Sequence, residues 1–309
     1  MANPKSLHID AALTNYSVSY APSGFIADII APITTVDKES DKYYVWDRGD
    51  SFRTYDDKIA AGAVAKTIDF AFSTDSYYAE EFGLRTRILW REMSNADRQL
   101  RLEQSKTKKL KDSLLISREK RVAALALATG SYAAGLSTTY AGASQWNHAS
   151  YAGDIIKEID AAKELVRVAC GSMPNTIIIP AAVIPTMTNH SSYRDHYKYT
   201  ANDLSGNGLP PALRGLKVVV PGTQNTTSNE GAATTAVGDI WGKNLILAYI
   251  DPTDSLDTFT FMKTFRSQEW QTRKYDIDAE KAMYIETNIV EDVKVVSNVA
   301  GYLIKSVIA

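Results

Sequence analysis

The spacing of apolar residues changes several times along the chain, and each change marks an element. Between residues 36 and 88 the pattern is that of strands. Tyr43, Tyr44, Val45 and Trp46 form one run, and Ile68, Phe70 and Phe72 alternate with Thr67, Asp69 and Ala71. A period of two marks a strand with one covered face. Residues 49–57 between these runs are polar and turn-prone, so the segment reads as a projecting hairpin. A two-stranded hairpin alone is marginally stable in water, so this one needs a partner.

Residues 94–128 predict one long helix. Ser94 and Asp97 suit a capping box, and Gly130 stands where a helix stops. Its length would be about 50 Å, at ~1.5 Å per residue. The first half is polar, with Arg98, Arg101, Lys106, Lys108, Lys109 and Lys111, and the second half is apolar. Such a helix is buried at one end and exposed or shared at the other. Residues 131–152 are small and aromatic and predict no regular structure. A second helix is expected over 154–170. Asp154 caps it, Ile155, Ile156, Ile159, Ala162, Leu165 and Val166 form its apolar face, and Gly171 and Pro174 end it.

A buried strand, 176–179, ends at Pro180 and leads into a short helical stretch over 181–190. Further strands are predicted at 216–220, 245–250, 258–265, 282–289, 293–297 and 302–308. The segment 222–233, rich in Gly, Thr, Asn and Ser, reads as an exposed flexible loop. A short helix closed by Pro32 is expected in the apolar patch 24–33. Hairpin, long helix, helix and strands in this order describe an α+β chain without regular βαβ alternation.

Composition narrows the function. The 309 residues carry 34 Lys and Arg against 36 Asp and Glu, a formal charge of −2. That is not the electrostatic footprint of a dedicated nucleic-acid binder. A single cysteine, Cys170, excludes an intrachain disulfide framework and a cysteine-rich zinc site. No apolar run approaches the ~18 residues that span a bilayer, and no signal-peptide core precedes residue 24. A soluble protein of a reducing compartment is expected.

Candidate chemistry is sparse. P-loop, nucleophile-elbow, zinc-protease and EF-hand patterns are all missing. His190 and His196 are off helical register for a shared metal. Asp251, Asp254 and Asp257 could gather a cation, although turn capping suits them better. Adjacent carboxylates at 56–57 and 80–81 on a strand would face opposite ways. The basic run 106–111 could meet phosphates, but Glu103 and Asp112 flank it. No catalytic, cofactor or metal residues are assigned, and the chain reads as a non-enzyme. Its positive features are an apolar arm, a hairpin, a half-exposed helix and 17 tyrosines, the marks of a protein completed by its own copies.

Several segments carry a resemblance. Phe25 to Ile33, Lys38 to Arg53, Ser73 to Leu84 and Ser117 to Ala128 resemble, in that order, segments of the major capsid proteins of tailed bacteriophages. Trp146, Asp154, Ile155, Pro174 to Thr176 and Gly301 to Ile304 continue the series. The resemblance implies an α+β Hong Kong 97-like capsid fold. It implies an N-terminal arm over 1–35 and an extended loop over 36–88. A peripheral domain would comprise 89–173 and 263–300 and include a spine helix, 94–128. An axial domain would comprise 174–262 and 301–309. The implied function is an icosahedral shell of hexamers and pentamers enclosing double-stranded DNA. An encapsulin-like protein compartment and an unrecognised soluble enzyme are the alternatives.

Implied partners are the chain itself, a separate scaffolding protein, a portal and a cement protein. The initial methionine and the short stretch before Phe25 favour a separate scaffold over a cleaved one. Virion location after assembly in bacterial cytoplasm follows from the same resemblance. No Lys–Asn crosslinking pair is marked. Aromatic and arginine side chains dominate interfaces, which selects Phe25, Ile26 and Ile29 in the arm and Tyr44, Trp46, Arg48, Asp50, Phe52 and Arg53 in the loop as subunit contacts. A compact chain of this mass should expose about 12,800 Å², and an extended one clearly more.

Overall fold

The computed structural model describes residues 24–46, 53–59, 62, 64–68, 72–95, 102–198, 208–229, 231, 234, 236–256 and 258–309. The first elements are α1 (Ala27–Ile30), β1 (Ile33–Thr35), β2 (Ser40–Trp46), β3 (Phe72–Tyr78), β4 (Glu80–Leu89), α2 (Trp90–Asn95) and α3 (Leu102–Ala126). There follow β5 (Ser137–Thr139), α4 (Ile155–Cys170), β6 (Thr176–Ile178), α5 (Ile184–Asn189), α6 (Ser191–Tyr197), β7 (Ala212–Leu213) and β8 (Leu216–Val219). The last are β9 (Gln224–Thr226), β10 (Val237–Asp239), β11 (Leu245–Ala248), β12 (Met262–Ile277), β13 (Ala282–Val295) and β14 (Gly301–Lys305).

Two sheets organise the chain. The first has the order β1-β12-β13-β4. Its centre is one long hairpin, registered from Met262↔Val295 to Ile277↔Ala282. Sequence patterning ends a strand at Phe265, where charged residues begin, and divides 282–297 in two. The strands run on because their polar side chains find partners in the fold. Thr272 Oγ1 lies 3.1 Å from Thr287 Oγ1, and Tyr275 donates to Glu286 at 3.0 Å. Lys274 donates to both Glu103 carboxylate oxygens at 2.9 Å.

Helix α3 covers one face of this sheet. Leu110 packs with Ile88, Met283 and Ile285, and Leu114 packs with Trp270 and Ile289. The expected cap is displaced: Ser94 lies inside α2, where its hydroxyl donates to the Arg91 carbonyl at 3.1 Å. Asp97 lies outside the described residues. At the other end α3 stops at Ala126, and Gly130 belongs to a separate 3₁₀ turn.

The second sheet has the order β5-β14-β11-β6-β8-β7. Strands β6 and β11 are buried along their whole length, as is β14 up to Ile304. Continuous apolar runs such as Ile177 to Ile179 and Leu245 to Ala248 are the signature of strands covered on both faces. Helix α4 packs on β14 and β11. Its local signals act as the sequence predicts. Asp154 Oδ1 accepts from Ile156 N at 3.0 Å, and Gly171 takes φ +78° at the end. Leu165, expected on the core face, is exposed instead.

One acid gathers three side chains of the stretch 131–152. Glu158 on α4 accepts from Tyr140 Oη at 2.9 Å, Trp146 Nε1 at 2.8 Å and Tyr151 Oη at 2.8 Å. Strand β5 in this stretch runs parallel to β14. The segment read as a flexible loop, 222–233, contains β9, which pairs antiparallel with β10 beyond it.

These packings move two expected boundaries. Strand β4 pairs along its length with β13, so the first sheet begins at Glu80 and the projecting ribbon ends near Tyr78. Strand β5 and α4 pack on the six-stranded sheet, so that unit begins well before residue 174.

Candidate assembly surface

The joint between the two sheets is held by neighbouring residues of α3. Arg118 and Glu119 are both almost fully buried, and each grips α1. Glu119 accepts from Ile26 N at 3.1 Å and Ala27 N at 2.9 Å, serving the otherwise unpartnered amides at the start of α1. It also accepts from Trp241 Nε1 at 2.7 Å, which ties in the second sheet. Burial raises the Glu119 carboxyl above its ordinary range, against the pull of these three donors.

Arg118 turns the other way. Its Nε donates to Glu291 at 2.8 and 3.0 Å, and its Nη1 meets Asp28 of α1 at 2.7 Å. Arg121 at 3.2 Å and Arg266 at 3.0 Å also donate to Glu291, so three guanidinium groups converge on one buried carboxylate. Burial acts to lower the Arg118 pKa, but Glu291 and Asp28 outweigh it and hold the group charged. Motif reading passes over this cluster because its members are scattered along the chain.

The ribbon β2–β3 is anchored at its base and open beyond it. Tyr43 is 1% exposed and lies 5.0 Å from the Phe265 ring, and Tyr77 stacks on the same ring at 4.6 Å. Tyr43 Oη donates to Asp75 at 3.0 Å. Tyr44 and Tyr78, on the opposite face, are 49% and 64% exposed. Farther out, Val64 is exposed, and Tyr55, Ile59 and Ile68 are exposed apolar groups lining a cavity of about 480 Å³. The chain exposes 17718 Å² in all, against about 12,800 Å² for a compact protein of this mass.

The structure sorts the predicted contact residues. Ile29, Tyr44 and Arg53 are exposed, and Phe25 is half-buried. Ile26 is 3% exposed and packs in the chain's own core, because Glu119 draws its amide inward. It is corrected from subunit contact to core residue. Trp46 is placed by its backbone, opposite Phe72. Arg48, Asp50 and Phe52 lie outside the described residues.

The remaining candidates resolve into structural roles. Asp251 accepts from Thr253 N at 3.0 Å and Thr253 Oγ1 at 2.6 Å, a capped turn. Asp254 accepts from Thr35 N at 3.2 Å. Asp257 lies outside the described residues. His190 Nδ1 accepts from Ser192 N at 3.3 Å at the start of α6. Cys170 is buried. From the basic run, Lys111 turns inward, its ammonium 5.8 Å from the Trp270 ring centre. Among the described residues no His, Cys, Asp and Glu side chains are grouped to hold a metal ion, and no helix is long and apolar enough to cross a membrane.

The chain superposes on solved structures of other proteins. A phage-related protein from Bordetella bronchiseptica superposes with a TM-score of 0.75 over 98% of both chains, at 22% identity. The capsid of the cyanophage P-SCSP1u superposes with a TM-score of 0.63 over 99% of this chain and 92% of that one, at 8% identity. The chain has the Hong Kong 97-like capsid fold. In the terms of that fold, α3 is the spine helix and β2–β3 the base of the extended loop. In sequence, the major capsid protein of Burkholderia phage BcepMu is 26% identical over 243 residues, 78% of this chain and 76% of that protein. The chain matches no protein-family model.

Proposed function

We propose that the chain is a major capsid protein whose copies close into the shell of a tailed phage. The observation that carries this reading is capsid-fold similarity over essentially the whole chain, joined by a capsid-protein relative in sequence. The physics supports it. A ribbon stapled at its base by Tyr43, Tyr77 and Phe265 but bearing exposed apolar groups beyond needs a neighbour to cover them. Each copy in a shell is held by several others, so individually weak contacts suffice.

The finer reading is an icosahedral shell of hexamers and pentamers around double-stranded DNA. Near-neutral charge suits a wall that contains DNA without strong phosphate binding. Assembly in the bacterial cytoplasm with a separate scaffolding protein, a portal and a cement protein belongs to the same proposal. Phe25, Ile29, Tyr44, Trp46, Arg48, Asp50, Phe52 and Arg53 are the proposed subunit contacts. Light scattering and negative-stain microscopy of the purified chain test it. Particles hundreds of ångströms across are expected, and nucleic acid inside them distinguishes a phage shell from a protein-filled compartment. A chain that stays monomeric with its scaffold present overturns the proposal.

A further inference from the structure

Helix α3 divides the basic run 106–111. Lys111 is 4% exposed and lies against Trp270, on the side of the sheet. Lys106 and Lys109 lie on the side away from the sheet, and Lys120 joins them three turns on. Positions 106, 109, 113, 117 and 120 follow the three-and-four spacing of a single helix face. Lys109, Ser113, Ser117 and Lys120 are exposed and Lys106 is half-buried. Among the described residues the three ammonium groups have no ion-pair or hydrogen-bond partner. The acids of α3 leave this face uncompensated. Glu103 holds Lys274 at 2.9 Å, and Glu119 is buried at the joint. Asp112 is half-buried on the flank, with one oxygen turned inward. Asp28 and Glu291, from the elements packed on α3, are held by Arg118 at 2.7 and 2.8 Å.

The stripe from Lys106 to Lys120 is about 21 Å long, at ~1.5 Å per residue. Over that span a DNA duplex carries roughly a dozen phosphate charges, about one per 1.7 Å of its axis. Lysines meet phosphates as point charges, and the small Ser113 and Ser117 between them let a bulky backbone approach. No aromatic ring stands on the stripe to stack an unpaired base. No Arg, Asn or Gln stands there to fork onto a base edge. We infer that this face of α3 is a sequence-independent contact for the phosphate backbone of duplex DNA, and so faces the interior of the shell. Three lysines hold a duplex weakly in one copy, in keeping with the near-neutral chain, and many copies around one DNA molecule add up. The contact deepens the shell reading and rests on it.

The test begins with the unassembled full chain and a fluorescent duplex, followed by anisotropy. Affinity should fall about 40-fold between ~50 and ~200 mM salt, the slope of about −2.7 that three neutralised phosphates give. Two duplexes of unrelated sequence should bind within about twofold of each other. Lys106→Gln, Lys109→Gln and Lys120→Gln together should weaken binding about tenfold at ~50 mM salt and flatten its salt dependence. Lys109→Gln with Lys120→Gln, both at exposed positions, should remove about two thirds of the slope without moving the thermal midpoint. Lys157→Gln with Lys217→Gln, exposed beside the second sheet, should change neither. Unaltered binding in the triple variant overturns the assignment. So does tighter binding of poly-glutamate than of duplex at equal charge concentration, which would mark the stripe as a seat for an acidic protein. In particles, an amine-reactive label should modify the three lysines about threefold less when DNA fills the shell than when it is empty, and equal labelling also overturns the stripe. DNA-filled particles with an inert stripe sink this inference alone. A wild-type chain that forms no particles with its scaffold present sinks the shell reading, and the stripe's interior role with it.

Discussion

The two sheets are held together by different physics. In the six-stranded sheet the centre is hydrocarbon: Ile177, Ile178, Leu245, Ile246, Leu247 and Leu303 are essentially inaccessible. In the four-stranded sheet the space under α3 is shared with Lys111, Arg118, Arg266 and Glu291, all nearly fully buried. An apolar core degrades gradually as atoms are removed. A buried charge cluster fails abruptly, because each member is tolerable only while its partners remain. The joint that carries the arm is built from the second kind of material, so its stability depends on a few exact pairings.

The largest effect should come from Glu291→Ala, which strands Arg118, Arg121 and Arg266 together. A loss of about 3–5 kcal/mol is expected from breaking a buried pair, read from urea denaturation of the unassembled chain. Ile246→Ala in the apolar sheet should cost about 2–5 kcal/mol by cavity formation. The contrast sharpens with salt. The Glu291 effect should stay nearly constant at high ionic strength, because buried pairs are poorly screened. A loss that salt abolishes would show the cluster to be solvated, and the contrast between the sheets would collapse.

A subtler difference concerns pH. The Glu119 carboxyl is raised in the folded chain above its ordinary value of 4.5. The native state therefore holds this proton where the unfolded chain has released it, and stability from this group is present at low pH. It is lost as pH rises from about 4.5 through the folded pKa. The gap in urea midpoint between wild type and Glu119→Gln should change with pH in that direction. A gap independent of pH between 4 and 8, the span of roughly neutral to acidic buffers, contradicts the assignment. The smallest effect is local. Asp154→Ala should cost about 1 kcal/mol, the usual worth of an N-cap, and should leave the charged joint untouched. A larger loss would mean that α4 also supports the first sheet.

The legible parts of this chain are those decided within a few residues. Helix α4 could be read from Asp154 to Gly171 because cap, apolar period and stop lie side by side. Strands β6 and β11 could be read from their unbroken aliphatic runs. The hairpin was legible as two strand-like runs with a polar tract between, though β3 begins only at Phe72. Ser94 misled because a capping pattern is cheap in sequence and only the chain's path decides whether it is used. Of the predicted contacts, Ile26 was misjudged for a like reason. An apolar residue near a terminus serves a neighbour or its own core with the same letters.

By itself the sequence determined the α+β class, the α4 boundaries, the buried strands and the ribbon, since propensity, capping and periodicity act locally. The tertiary structure alone decided that β12 and β13 run long and that Arg118, Arg266 and Glu291 are core residues. It also decided that 131–152 is held by pairing with β14 and by Glu158. Arg118 and Glu291 are 173 positions apart, and Glu119 and Ile26 are 93 apart. A charge is costly or structural according to what faces it after folding, and that partner is invisible to any local pattern.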